Sequence, residues 1–400
     1  MSAPVRGTQI VGLIAGCCAL AGLAHADATT VAFTPAEVKR ILAHGPWPPP
    51  PVRDPSNRVS ANAEAIAFGE RLFFDTRLSS NGLVSCAKCH QPGLRWIDGR
   101  DKAIGLAGVD RNTPTLDNVG GSRWFGWDGA NDSLWAQSIR PILDPREMGE
   151  STTTFAAAIR RERDLACRYE RNFGDASRHD DELVLVNSAK ALAAYQETLV
   201  SGRTPFDDFR DALARNDAEA MARYPAGAQR GLEIFVGRGA CDLCHSGPKF
   251  TNGEFHDIGI AFFAAPGRVD PGRYEGIRKL LASPYNLLGR YNDDASGASA
   301  SSTKYVALVH RNFGEFKVPS LRNVALTAPY MLDGSLKTLE DAVKHYSDLD
   351  PDRLHADGER ILKPLNLTKG ESADLIAFLE SLSDPQKPGR RTSTAPSACD

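Results

Sequence analysis

Cys86-Ala87-Lys88-Cys89-His90 recurs in form as Cys241-Asp242-Leu243-Cys244-His245, and this pair of Cys-x-x-Cys-His motifs decides the fold and cofactor class of the chain. In such a motif the two thiols become thioethers to the vinyl groups of a haem, and the histidine that follows is delivered to the iron as its proximal ligand. A zinc site built on the same cysteines lacks matching downstream His ligands, and a thioredoxin-like redox pair does not require His after the second Cys. The expectation is two covalently bound haems c, attached through Cys86, Cys89, Cys241 and Cys244, with His90 and His245 on the irons.

Working outward, each motif follows a helix with one apolar face. Gly69-Glu70-Arg71-Leu72-Phe73-Phe74 precedes the first and Gly231-Leu232-Glu233-Ile234-Phe235-Val236 the second, a partial repeat that predicts a mainly α protein of two cytochrome c-like helical domains. Trp47-Pro48-Pro49-Pro50-Pro51 is a non-helical lead-in, after which Ser60 precedes a helical pattern through Ile66, Gly69, Leu72 and Phe73. Ala189 to Leu199 reads as the helix closing the first half, and Ser201-Gly202-Arg203-Thr204-Pro205 as the boundary. Between Ala264 and Ser302 the pattern dissolves into Gly, Pro, Asp and Ser, which predicts a long surface loop. Leu375 to Leu382 is a last amphipathic helix. The expected organisation is a leader over 1–26, a first domain over 27–204, a second over 205–385 and a disordered tail over 386–400.

The leader sets the compartment. Arg6 lies in a short polar region, an apolar stretch runs from Ile10 to Leu23, and Ala24-His25-Ala26 offers a small-residue cleavage site, so export to the periplasm with cleavage after Ala26 is expected. Cys17 offers a rival cut that would leave a lipid anchor. No later segment resembles a membrane span. Of the cysteines beyond the leader, Cys167 and Cys399 are not used by the motifs. An oxidising compartment would let them pair, but the position of Cys399 in a polar tail argues against a bridge. The formal charge of -3 and pI near 6.3 exclude a strongly basic, nucleic-acid-binding surface.

Further segments extend the likeness beyond the motifs: Arg111-Asn112-Thr113-Pro114-Thr115, the run from Trp127-Asp128-Gly129 through Gln137 to Glu147-Met148, and Leu321-Arg322-Asn323-Val324-Ala325-Leu326-Thr327-Ala328-Pro329-Tyr330. Together they make the chain resemble the bacterial di-haem cytochrome c peroxidase and MauG superfamily over nearly its whole length. The resemblance implies a hydrogen peroxide-using oxidoreductase. Glu147 and Gln137 would serve the haem of His90, Glu147 moving a proton between the peroxide oxygens, and Trp127 would stand between the haems as an electron relay. It also implies a calcium ion between the domains, held by the Asn112 side chain and the carbonyls of Thr327 and Pro329.

Two positions separate the branches of that family. In the peroxidases a loop His closes the first iron; here the matching Gly105 is followed by Leu106, and no His occurs from Gln91 to Arg178, so this iron is expected to be open without reductive activation. The second iron takes Met in the peroxidases and Tyr in MauG, and the corresponding position is Tyr346. Leu339, Ala342, Val343 and Tyr346 share a helix face, while His345 is rotated about 100° away. His345, Met331 and Tyr330 are the rival ligands. A Tyr oxygen favours ferric and higher-valent iron, which leans toward MauG-like chemistry, although Gly239-Ala240 stands where MauG carries a surface Trp. The implied partner is a cytochrome c, a cupredoxin or a target protein whose residues are oxidised. A non-catalytic electron-transfer cytochrome and a haem-based sensor are the competing function classes; the Glu147, Gln137 and Trp127 set favours the enzyme.

Overall fold

The sequence repeat is a repeated helix crossing. In the computed structural model, Gly69 of helix Ala63–Phe73 lies against helix Asp181–Gln196 so closely that a Cβ would sit 1.9 Å from the Ala191 carbonyl oxygen. Gly231 of helix Ala226–Val236 meets helix Lys369–Glu380 in the same way, with a Cβ 2.0 Å from the Asp374 oxygen. Only glycine permits either approach. The structure describes residue 1 and residues 31–51, 53–260, 263–265, 267–354, 357, 361–386 and 399. The expected leader, with its Ala26 and Cys17 cleavage points, and most of the tail lie outside the described residues.

Local chemistry starts these helices. Asn62 caps Ala63–Phe73 by accepting from the Ala65 N–H, and Asp180 caps Asp181–Gln196 through Leu183 N–H. Thr204 and Asp207 form a capping box ahead of Pro205–Ala214, as Thr368 and Glu371 do ahead of Lys369–Glu380. The chain is mainly helical, with two-stranded antiparallel ribbons pairing Phe255–His256 with Phe316–Lys317, and Phe263–Ala265 with Arg268–Val269. Among the described residues no helix is long and apolar enough to cross a membrane.

Among the described residues two large hydrophobic cores form, with two small clusters beside them. The first gathers Phe68, Phe73, Trp96, Trp135, Tyr169 and Tyr195; the second gathers Phe206, Phe209, Phe235, Phe250 and Phe378. Each such buried aromatic contributes on the order of 1.5–3 kcal/mol. Packing crosses the chain order, since Ile41 of helix Pro35–Leu42 enters the second core while Leu287, Tyr291 and Ala300 enter the first. The buried Lys190 ammonium fastens that later segment by donating to the Tyr291 carbonyl (2.7 Å) and to Asp293 (2.5 Å).

Two expectations need correction. The 264–302 stretch is not one surface loop: it contains helix Arg273–Ala282, whose Ile277 and Leu280 are buried. Its apolar positions are few and flanked by Gly and Pro, so the short period was masked. Cys167 and Cys399 form a disulfide, with Cα atoms 5.7 Å apart across 232 residues of sequence. A polar tail says nothing about a distant partner, and this one is tied to helix Arg163–Phe173.

Candidate functional site: two histidine centres of unequal surroundings

At the first motif the chain makes one turn, Cys86–Cys89, closed by the His90 N–H donating to the Cys86 carbonyl at 2.9 Å. The His90 ring then engages the Trp96 carbonyl through Nδ1 at 2.9 Å. The second motif repeats this, His245 N–H donating to Cys241 (2.9 Å) and Nδ1 facing the Phe250 carbonyl (3.1 Å). Both accepting residues sit in the left-handed region, Trp96 at φ 62° and Phe250 at φ 53°, a costly conformation for aromatic side chains that aims the carbonyl back at the ring. Burial lowers the pKa of both imidazoles, that of His245 to about 4. Each ring is neutral, and the carbonyl facing Nδ1 accepts that nitrogen's proton in a hydrogen bond, which leaves the lone pair on Nε2 as the one a metal would take; the Pro319 carbonyl is a second hydrogen-bond partner of His245.

None of the four motif cysteines is in a disulfide, and burial pushes Cys86 and Cys241 up to about 12 and Cys89 to about 11. Cys86, Cys89 and His90 face a cavity of about 680 Å³, within the roughly 300–1,000 Å³ of small-molecule and cofactor sites. Paired thiols, an anchored neutral imidazole and a cavity of this size fit a covalently held haem.

The cavity wall is largely apolar, with a few polar side chains set into it. Helix Leu134–Leu143, capped by Ser133, sends Gln137 and Arg140 to it from successive turns. Arg140 pairs with Glu147 at 2.8 Å, and Gln137 Oε1 accepts from Asn131 at 2.8 Å. The backbone around Glu147 is clamped by the preceding loop: Leu106 N–H donates to the Glu147 carbonyl (3.0 Å) and Ala107 N–H to Arg146 (2.9 Å). Gly105 is packed so closely that a Cβ would fall 2.6 Å from Glu147 Cα. Leu106 packs on the first core rather than lining the cavity. Among the described lining residues His90 is the only histidine; His179 is bonded to the Tyr169 hydroxyl at 2.8 Å and His256 lies in a ribbon strand. Sequence reading missed Arg140, whose signal was its place one turn after Gln137.

Trp127 lines the same cavity and donates its indole N–H to the Asn112 carbonyl at 2.9 Å. The next residue, Asp128, pairs with Arg111 at 2.8 Å, and Arg111 also reaches Asp270 at 2.7 Å, tying the cavity wall to the second half. Burial raises the Asp128 pKa, but Arg111, with Lys279 and Arg140, outweighs it and holds the carboxyl below its usual value. Asn112 gives its side-chain N–H to the Arg100 carbonyl (2.8 Å) and its backbone N–H to the carbonyl of Leu332 (2.7 Å), two residues after Tyr330. Thr327 hydrogen-bonds back to Val324 through both N–H and hydroxyl.

At the second centre Tyr346 projects from helix Leu339–Ser347, and burial, with the Cys241 and Cys244 thiols beside it, raises its pKa. Its rivals are engaged elsewhere. His345 Nε2 is bonded to the Ile258 carbonyl at 2.7 Å, the Tyr330 hydroxyl donates to Val324 at 3.0 Å, and Met331 packs on a cluster of Ile260, Phe316 and Leu332. The Tyr346 hydroxyl has no hydrogen bond to a described residue.

Residues 63–215 match the family model of di-haem cytochrome c peroxidase. The chain is also 36% identical over 321 residues to the methylamine utilization protein MauG of Methylorubrum extorquens, a match covering 80% of this chain and 78% of that one. The chain belongs to the di-haem cytochrome c peroxidase family. Membership implies two haem cofactors and a peroxidase-type oxidoreductase. Another relative in the family is the cytochrome-c peroxidase IdrP1 of Pseudomonas sp. (strain SCT), 32% identical over 90% of this chain and 93% of its own. Among solved structures, a MauG-like protein associated with microbial copper homeostasis superposes with a TM-score of 0.62 at 26% identity, over 85% of this chain and 96% of that one.

Proposed function

We propose that this member of the family is an exported, MauG-like di-haem peroxidase that reduces hydrogen peroxide at the first centre and draws the electrons from a protein partner. In this reading Cys86 and Cys89 would hold one haem c with His90 as an iron ligand, and Cys241 and Cys244 would hold the other with His245 and Tyr346 as iron ligands. Each histidine centre defines one haem-binding unit, with the boundary near residue 204, and the Pro35–Leu42 helix is docked on the second unit. Asn112, whose side-chain nitrogen is committed to Arg100, would offer its amide oxygen, with the Thr327 and Pro329 carbonyls, to a calcium ion between the units.

The haem, when bound, supplies an iron with a position open to peroxide. The protein's share is proton handling. Peroxide takes up two electrons and two protons to become two waters, and Glu147 accepts the proton of one peroxide oxygen and returns it to the other. Arg140 fixes the carboxylate, and Gln137 presents an amide beside it. Trp127 bridges toward the second centre. The observation that supports this most directly is the Arg140-held Glu147 in a cavity where, among the described residues, no second histidine stands to compete with peroxide. The partner is a cytochrome c, a cupredoxin or a protein whose own residues are oxidised.

The test is rapid mixing of the fully ferric holo-protein with hydrogen peroxide. A haem absorbance change without prior reduction is expected; a protein that reacts only after one haem has been reduced contradicts the MauG-like reading.

A further inference from the structure

Two tryptophans three residues apart have opposite electrostatic surroundings. Trp127 lines the first cavity, gives its N–H to the Asn112 carbonyl at 2.9 Å, and among the described residues has no cation over its ring. Trp124 is 5% exposed and lies under the Arg273 guanidinium, whose carbon is 4.3 Å from the Trp124 ring centroid and 4.0 Å from that of Phe255. Arg273 is itself 3% exposed. It makes no ion pair among the described residues and donates instead to the carbonyls of Gly129 (2.7 Å) and Asp128 (3.3 Å). Burial lowers its pKa only to about 10, so it is cationic at neutral pH. Lys317 does not separate the two rings, since its ammonium donates to the Trp124 carbonyl at 3.2 Å and its backbone N–H to the Trp127 carbonyl at 2.8 Å; the difference lies with Arg273.

A neutral indole is stabilised by a cation over its face, but an indole that has lost an electron carries positive charge and is repelled by it. A carbonyl accepting the indole N–H works the other way, because the hydrogen bond strengthens as the donor becomes charged. The two rings are thus biased in opposite senses. We propose that Arg273 is a positioning residue that makes Trp124 resistant to one-electron loss and so confines oxidising equivalents to Trp127. The proposal rests on the peroxidase reading above. Its consequence appears when no donor is supplied. The indole then loses two electrons in all and one C–H proton, gains a hydroxyl from water and releases that water's second proton; peroxide takes the two electrons and two protons. The balance is indole plus hydrogen peroxide giving hydroxyindole plus water.

The experiment treats holo-protein with peroxide and no donor, then maps tryptophan oxidation by peptide mass spectrometry in the wild type, Arg273→Lys and Arg273→Met. A parallel arm replaces peroxide with photogenerated sulfate radical, which needs no haem chemistry. Wild type and Arg273→Lys are expected to keep Trp124 intact relative to Trp127, and Arg273→Met to raise the Trp124-to-Trp127 product ratio on the order of tenfold. An unchanged ratio in Arg273→Met overturns the proposal, as does equal loss of protection in Arg273→Lys, which would make the role one of shape rather than charge. If peroxide leaves the wild type unreacted, the peroxidase reading falls, and the sulfate-radical arm still decides the role of Arg273.

Discussion

The two histidine centres are alike on one side and unlike on the other. Each has a Cys-x-x-Cys turn and a neutral histidine held by a carbonyl from a left-handed aromatic residue, Trp96 or Phe250. Beyond the imidazole they diverge. The first opens on a cavity lined by Glu147, Gln137 and Arg140; the second meets Tyr346 on a helix whose Leu339 and Val343 are buried. The shared side is what any haem of this type needs, and on the function proposed above the unshared side divides the work: proton chemistry at one centre, charge storage at the other.

The strongest way to break the contrast is to remove the proposed proton carrier. Glu147→Gln keeps the shape of the side chain and is expected to slow the peroxide reaction by about 10²–10⁴-fold with the haem spectra of the resting protein unchanged. Loss below threefold would mean that the carboxylate is not the proton carrier. Arg140→Leu should cost less, roughly tenfold, because it frees the carboxylate without removing it; rapid-mixing rates measure both.

The smallest effect concerns stability and is confined to the first half. Glu197, half-buried and accepting from the Ser60 hydroxyl at 2.6 Å, has its pKa raised by burial from 4.5 to about 7. A folded-state pKa above the unfolded one means that the folded protein binds the proton more tightly. Its contribution is fully present below pH 4.5 and is lost as pH rises to about 7. Glu197→Gln should therefore raise Tm relative to wild type by a few °C, ~2–4 °C, at pH 8 but not at pH 5. Parallel shifts at both pH values would contradict this.

Much of this asymmetry was legible in the sequence because it is local. The motifs fix turn, thiols and histidine within five residues, and the helical period around Leu339 puts Tyr346 on the same face as Val343. The identical roles of Gly69 and Gly231 also show as a repeat, although their cause, a carbonyl about 2 Å from any Cβ, belongs to the packing. What stayed hidden depends on distant partners. Arg140 acquires meaning only when Glu147 folds back beside it, Arg273 only when its helix lays it over Trp124, and Cys399 only through Cys167. The aromatic carbonyls that orient the two imidazoles need a positive φ that neither Trp nor Phe advertises.

The most direct test of unequal centres is a low-temperature EPR spectrum of the fully ferric holo-protein, recorded with Tyr346→Phe beside it. The account predicts one high-spin haem and one low-spin haem in the wild type, the low-spin signal being lost in the variant. Two low-spin haems in the wild type would mean that a further side chain closes the first centre, and would contradict the account.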